Sequence, residues 1–201
     1  MPIRGPVWML FDIPCIAFEE APPDRKSIMV SRSFRDMIET REELEEAVAT
    51  YAARAAEKMR RQSLAARRLM VFAHTNRFRP QDAQYDAVQQ VALPVATADT
   101  AKLISAARRG LAALYRPGYR YKKAGVILLD PIPAREAQGG LFDAADGTAS
   151  KACMRAVDAL NRRYGRDTVT YAASGLRRRW KLRTDFISPR FTTCWDELLQ
   201  V

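Results

Sequence analysis

The sequence is poor in the residues from which metal sites and disulfide frameworks are built. Its 201 residues include three cysteines and one histidine, and they contain no CxxC pair. Cys15, Cys153 and Cys194 are far apart and odd in number, which favours free, mostly buried thiols in a reducing cytoplasm. His74 stands alone at the end of an apolar run, where a structural role is commoner than a catalytic one. The composition therefore predicts neither a disulfide framework nor a protein-made transition-metal site.

Long apolar runs and catalytic motifs are also missing. No stretch of roughly 18 or more apolar residues occurs, so no membrane-spanning helix is expected. The first residues, MPIRGPVWMLFDIPC, lack a convincing cleavage pattern, and no signal peptide is expected. The sequence shows no nucleophile paired with a base and no phosphate-binding glycine loop. An unrelated hydrolase or transferase is therefore the least supported class.

Positive charge is what the sequence has in excess. Lys and Arg number 33 against 23 Asp and Glu, which gives a formal net charge of +10. This excess favours an acidic partner, either nucleic acid or an anionic membrane surface, and the missing apolar runs favour nucleic acid. The hydrophobic fraction of 48% is enough for the core of one compact domain with a small unit attached.

The chain is organised around residues 115–130, YRPGYRYKKAGVILLD. Pro117 and Gly118 end the preceding helix, because proline cannot continue a helix and glycine permits the turn. The aromatic and cationic half is followed by a branched apolar half, which predicts a strand buried at one end and basic at the other. Because side chains alternate along a strand, Tyr119, Tyr121 and Lys123 are expected on one face. Arg120 and Lys122 are expected on the other face.

Three further strands and two helices are predicted before this strand. The strands cover residues 26–34, 68–75 and 85–93, and Pro94 is expected to close the third.

The first of these helices begins with a capping box at Thr40 and Glu43 and carries Tyr51 on its core side. Thr97 is expected to cap the second helix.

This order of elements across residues 26–130 predicts an α+β fold of the βαββαβ type. Its four-stranded antiparallel sheet would carry both helices on one face and leave the other face free. Ser31, Arg32 and Ser33 lie on the first strand, where small hydroxyl side chains beside an arginine let a phosphate approach the backbone. An exposed polar strand end explains the same tripeptide without any ligand. With residues 120–123, these residues are expected to make the free face basic.

The remaining sequence divides into three segments. Residues 1–25 form a proline-rich lead-in, and residues 131–148 form a flexible, glycine-containing linker. Residues 149–201 form a small basic extension, with a helix at 150–164 and a short strand at 167–173. The predicted inner face of that helix consists of Cys153, Ala156, Val157, Leu160 and Tyr164.

Several segments together resemble the C-terminal part of the UmuC-type catalytic subunit of DNA polymerase V, a Y-family translesion polymerase. They are IPCIAFEEAPPDRKSIMVSRSF, AVATYAARAAEKMR, YRPGYRYKKAGVILLD, QGGLFD and SPRFTTCWDELLQV, spread over residues 13–201. The resemblance implies that residues 26–130 are the little-finger domain, which grips the template and primer backbone. Residues 1–25 would then be a remnant of the link to the thumb.

The resemblance also implies two sets of site residues. The DNA-binding set is Ser31, Arg32, Ser33, Arg120, Lys122 and Lys123. In the linker, QGGLFD is similar to the sliding-clamp peptide of these polymerases, with Gln138 as polar anchor and Leu141 and Phe142 filling an apolar pocket of the clamp.

The expected function is DNA binding and sliding-clamp docking within an error-prone translesion polymerase, acting in SOS damage tolerance in the bacterial cytoplasm at the nucleoid. The partners implied are damaged primer–template DNA, the sliding clamp and other polymerase V subunits, without a membrane. The family's catalytic carboxylates and magnesium belong to an upstream palm domain, so no cofactor and no autonomous polymerase activity are expected here. A stand-alone, non-catalytic regulator of DNA or clamp binding is the alternative.

Overall fold

The computed structural model describes residues 26–139, 145–176, 178, 180 and 188. Its strands are β1 (Ser27–Ile38), β2 (Leu64–Thr75), β3 (Asp86–Thr97) and β4 (Tyr121–Pro133). Its α-helices are α1 (Arg41–Arg60), α2 (Thr100–Leu114) and α3 (Thr148–Arg163), and short 3-10 helices lie at Ala134–Glu136 and Ala172–Ser174. None of these described helices has the length and apolar character needed to cross a membrane.

The four strands form one antiparallel sheet in the order β1-β4-β2-β3. Strand β4 is inserted between β1 and β2, which are joined by α1, and this arrangement confirms the predicted βαββαβ fold. Helices α1 and α2 pack on the same face of the sheet. The core between the layers contains large, fully buried side chains from both helices and the two central strands, among them Leu44, Val48, Leu103, Leu111, Leu69, Val71, Val126 and Leu128.

The helix starts follow from local hydrogen bonding. The main-chain N–H of Glu43 donates to the Thr40 hydroxyl at 3.4 Å, which confirms Thr40 as the N-cap of α1. In return, the Glu43 carboxylate accepts the Thr40 hydroxyl at 3.1 Å. Thr97 does not cap α2, so that prediction is wrong. Asp99 is the N-cap residue, because its carboxylate accepts the N–H groups of Ala101 and Lys102 at 2.7 and 3.2 Å.

Strand β3 does not end at Pro94 but continues to Thr97. Proline is tolerated there because β3 is an edge strand and its pairing with β2 is irregular between Arg68 and Ala66. Pro94 lies within this irregular stretch, between Ala92 and Thr97, so its missing N–H group does not interrupt the regular hydrogen bonding between β3 and β2. The prediction that Pro94 closes the strand is wrong for this reason.

Strand β4 has an irregularity at its basic end that reverses the predicted alternation. Tyr121 pairs with Thr75, whereas Lys123 pairs with His74, so an extra residue is accommodated between them. Tyr121 is fully buried in the core, and Lys123 lies on the opposite face. The prediction that these two side chains share one face is wrong.

The described part of the C-terminal extension packs against α1 and reaches the edge strand β1, where the Arg35 N–H donates to the Trp180 carbonyl at 3.4 Å. Trp180 is 5% exposed and joins the core cluster, with its ring centroid 5.6 Å from that of Tyr51 and 6.3 Å from that of Phe34. Arg60 of α1 donates two hydrogen bonds of 2.7 Å to Asp158 of α3. The described part of the extension is therefore attached to α1 by both an aromatic contact and a salt bridge.

The predicted inner face of α3 is wrong by a partial rotation of the helix. Met154 is its one buried residue, whereas Cys153, Leu160 and Tyr164 are exposed. The salt bridge of Asp158 turns a polar side of the helix towards α1, so the apolar pattern does not identify the contact face.

The strand predicted at 167–173 is also wrong. Asn161 of α3 supplies both hydrogen bonds that a neighbouring strand would have given Val169, at 2.8 and 3.0 Å. The chain then forms the 3-10 helix Ala172–Ser174.

Two fully buried tyrosines differ in the satisfaction of their hydroxyl groups. The Tyr121 hydroxyl accepts the N–H of Arg116 at 2.9 Å and donates to its carbonyl at 3.0 Å. The Tyr51 hydroxyl has no hydrogen-bond partner among the described residues, and burial raises the pKa of Tyr51.

We therefore expect opposite effects from the same substitution at these two sites. Tyr51→Phe should leave the free energy of unfolding unchanged or raise it by about 1 kcal/mol, because it removes an unpaired buried hydroxyl. Tyr121→Phe should lower it by about 1 to 3 kcal/mol, because it orphans two main-chain groups. Urea titrations followed by circular dichroism measure both, and a larger loss in Tyr51→Phe than in Tyr121→Phe would contradict this account.

Candidate nucleic-acid interface

The face of the sheet turned away from α1 and α2 is not covered by any described helix. Its side chains form rows across the strands, since each residue lies beside its cross-strand partners. One row is Ser31, Gly125, Phe72 and Val88. A Cβ at Gly125 would overlap both the Phe72 ring and the Ser31 side chain, so glycine is required there.

The centre of this free face is apolar. Met29 and Val88 are 54% and 55% exposed, and Met70 and Ile127 lie between the two edge strands, half-buried. The expectation that Ser31, Arg32 and residues 120–123 make the free face basic therefore does not extend to its centre.

Cationic side chains gather instead at one end of the sheet, where β1 and β2 finish and β3 and β4 begin. We call this the basic end, and it includes the loops at 76–85 and 115–120. Its charged side chains are Arg35, Arg77, Arg79, Arg116, Arg120, Lys122 and Lys123, with the carboxylates of Asp36, Glu39, Asp82 and Asp86.

The structure brings together three of the six predicted DNA-binding residues. Ser31, Ser33 and Lys123 lie on the free face, where Ser33 is the cross-strand partner of Lys123. Lys123 makes no salt bridge with another described residue, so its charge is available to a ligand. Arg32 is separated from these three residues. It lies two positions before the buried Phe34, and residues two apart on a strand share a face, so Arg32 is on the helix side of β1.

Arg120 and Lys122 are engaged by the protein itself. Arg120 forms salt bridges with Glu39 at 3.1 Å and Asp82 at 3.5 Å. Lys122 Nζ donates to the carbonyl of Phe34 at 2.7 Å and to that of the next residue at 3.1 Å. Both side chains hold the basic end together, and any role in DNA binding stays a prediction.

His74 and Arg77 are members of this site that the sequence did not identify. Both contact the carboxylate of Asp86, and Arg77 does so at 2.5 Å. Burial alone would raise the pKa of Asp86, but these two hydrogen bonds outweigh it and lower the pKa. His74 is the cross-strand partner of Lys123 and of Asp86, so one row across the sheet contains Ser33, Lys123, His74 and Asp86. The strand register that unites them was not readable from the sequence.

Four tyrosines fix the two loops of the basic end to each other. The ring of Tyr85 lies 4.8 Å from that of Tyr119 and 6.3 Å from that of Tyr121, and Tyr121 lies 5.9 Å from Tyr115. The guanidinium of Arg116 sits 5.0 Å from the centre of the Tyr85 ring. This tyrosine cluster holds the 115–120 loop against the 76–85 loop.

The predicted clamp motif lies largely outside the described residues. Gln138 is described and exposed, whereas Leu141 and Phe142 are not described. On the far side of the motif, Asp146 binds the start of α2. It accepts the hydroxyl of Thr97 at 2.7 Å, the N–H of Ala98 at 2.8 Å and the ammonium of Lys102 at 2.9 Å. Burial alone would raise the pKa of Asp146, but these partners outweigh it and lower the pKa.

Within the described ranges, no group of three or more His, Cys, Asp or Glu residues is arranged to hold a metal ion.

Comparison with known proteins finds two family models and a solved structure that match parts of this chain. A family model described as the impB/mucB/samB family C-terminal domain matches residues 25–141, and one described as a domain of unknown function (DUF4113) matches residues 151–201. A solved complex of the beta-clamp processivity factor and the little finger domain of PolIV covers 53% of this chain and 91% of its own, with a TM-score of 0.40 and 20% identity.

Curated relatives match nearly the whole chain. Protein MucB of Salmonella typhimurium is 40% identical over 185 residues, which are 92% of this chain and 44% of that protein. Protein UmuC of Salmonella typhimurium strain LT2 is 37% identical over 189 residues, which are 94% of this chain and 45% of that protein. The chain thus spans less than half the length of these relatives. With the family model matching most of its length, the chain belongs to the impB/mucB/samB family, and its resemblance to UmuC-type polymerases is confirmed.

Proposed function

We propose that this chain is the DNA-binding and clamp-docking part of an error-prone translesion polymerase, acting in DNA damage tolerance. The observation that carries the proposal is an uncovered sheet face bordered by a basic end, in a chain of net charge +10. Family membership supports the same role. Nucleotidyl transfer would depend on a palm domain, which holds magnesium in this class of enzyme.

DNA would contact the free face of the sheet, which has a phosphate-binding edge and an uncharged, apolar centre. Lys123 supplies an uncommitted charge, and the small side chains of Ser31 and Ser33 beside it allow a phosphate to approach the backbone closely. The face has few groups arranged to read base edges. Binding would therefore depend on the DNA backbone and tolerate any sequence, as a polymerase that copies damaged templates requires.

Sliding-clamp docking would use the linker between β4 and α3. The 3-10 helix Ala134–Glu136 is joined to the end of α1 through the hydrogen bond from the Ala134 N–H to the Ser63 carbonyl, at 2.8 Å. Asp146 anchors the other side of the linker. The predicted motif therefore leaves and rejoins the domain at fixed points, remote from the basic end, so that DNA and clamp could be bound together.

One prediction of the proposed function concerns Lys123 on the free face. We expect Lys123→Glu to weaken binding to a primer–template and to reduce the slope of log affinity against log salt by about one, because one phosphate contact is lost. Fluorescence anisotropy across a salt series measures both quantities.

Lys58→Glu is the matched control, because Lys58 is exposed on α1 in the opposite layer and the change in net charge is the same. We expect it to leave the salt slope nearly unchanged. Equal effects of the two substitutions would show that net charge alone is responsible, and the assignment of the free face would be wrong.

A second prediction concerns the linker. Replacement of Leu141 and Phe142 by alanine should weaken binding to the sliding clamp at least about 30-fold, because apolar anchors dominate such peptide contacts. DNA affinity should be unchanged, and surface plasmon resonance against immobilised clamp supplies the measurement. Retained clamp affinity would mean that the motif is incidental.

A further inference from the structure

Phe78 is the most exposed large hydrophobic side chain in the domain formed by residues 26–130. Its exposed fraction is 94%, and it lies in the 76–85 loop between Arg77 and Arg79. Single apolar residues on a protein surface are common and need no function. What distinguishes Phe78 is the loop that presents it.

The loop is held by an internal network centred on Gln84. The amide nitrogen of Gln84 lies 3.2, 3.0 and 2.9 Å from the carbonyl oxygens of Asn76, Arg79 and Asp82. Its amide oxygen accepts the hydroxyl of Thr75 at 3.0 Å. One side chain thus braces the loop from inside and ties it to the end of β2.

The backbone at Phe78 is fixed as well. The N–H of Phe78 donates to the side-chain oxygen of Asn76 at 3.1 Å, and the N–H of Arg79 donates to the carbonyl of Asn76 at 3.1 Å. The aromatic ring is therefore presented to solvent from an ordered turn, so little main-chain entropy remains to be lost when the ring contacts a ligand.

The charge around Phe78 favours a polyanion carrying flat, apolar groups. Arg77 is 78% exposed although it pairs with Asp86, and Arg79 pairs with Asp82 at 3.5 Å. Exposed pairs of this kind contribute little to stability, so either arginine can exchange its carboxylate for a phosphate. An aromatic residue with an arginine before and after it in the chain suits a nucleic-acid strand, in which phosphates flank a base with a π-face. Stacking on a paired base would first require unstacking of the duplex, so an unpaired base is the better match.

We propose that Phe78 stacks on an unpaired base of single-stranded DNA next to a primer–template junction, while Arg77 and Arg79 contact the adjoining phosphates. This inference rests on the proposed DNA-binding function and adds a specific contact to it. Through this contact the basic end distinguishes single-stranded from double-stranded DNA and does not depend on the base sequence.

The test compares two DNA ligands bound by the 201-residue chain. One is a primer–template with a single-stranded 5′ overhang, and the other is the blunt duplex of the same primer. We expect Phe78→Ala to weaken binding to the overhang DNA about 5- to 100-fold and to affect the blunt duplex little. The salt slope should be unchanged, because no charge is removed.

Leu176→Ala is the matched control, since Leu176 is 95% exposed on the C-terminal extension. It should bind both ligands like the wild type. Equal losses in Phe78→Ala and Leu176→Ala, or unchanged overhang binding by Phe78→Ala while the wild type binds both DNAs, would overturn this inference alone. Absence of DNA binding by the wild type would overturn the proposed function together with it. Loss of clamp binding but not of DNA binding in Phe78→Ala would identify a protein contact and would also overturn it.

A double-mutant cycle tests the positioning role of the loop. Gln84→Ala should weaken overhang binding in the wild-type background, because the brace that presents the ring is removed. It should have no further effect in the Phe78→Ala background. Additive losses would show that Gln84 acts independently of Phe78, and the proposed presentation of the ring would be wrong.

Discussion

The packing of four tyrosines at one end of the sheet is the interaction on which the basic end depends. Tyr85, Tyr115, Tyr119 and Tyr121 come from two loops and a strand, and their rings join these segments into one unit. Three of the four hydroxyls, those of Tyr85, Tyr115 and Tyr121, bond main-chain groups, so the cluster also satisfies backbone atoms that the loops would otherwise leave unpaired. The cationic side chains at the basic end repel one another, and the rigid tyrosine cluster holds the segments that carry them in place.

The two sides of the sheet have separate tasks. Helices α1 and α2 cover one side, and the described part of the extension adds Trp180 to the core between α1 and β1 and the Asp158 salt bridge to Arg60 of α1. Among the described residues no element crosses to the other side, so this part of the chain leaves the free face and the basic end uncovered.

The order of strands and helices was predictable because its signals are local. Thr40 with Glu43, the run from Val126 to Leu129, and the Pro117-Gly118 turn each act over a few residues. The composition of the site was less accessible, because it depends on residues that are distant in sequence. Arg120 reads as a free cation until the fold brings Glu39 and Asp82 to it, and the irregular pairing in β4 has no sequence signature. The inner face of α3 was misjudged because a salt bridge, rather than apolar contact, orients that helix.

The anchored position of Asp146 limits the geometry of any complex formed through the linker. The attachment points are Ala134 and Asp146, eleven residues lie between them, and an extended chain of that length spans about 40 Å. Because both flanks return to the same domain, the apex of this segment can lie only about 20 Å from its attachment points. A ring-shaped partner bound there would be held within this distance of the domain formed by residues 26–130. Its distance from bound DNA would then be set by the length of this short loop, and inserted residues would lengthen it.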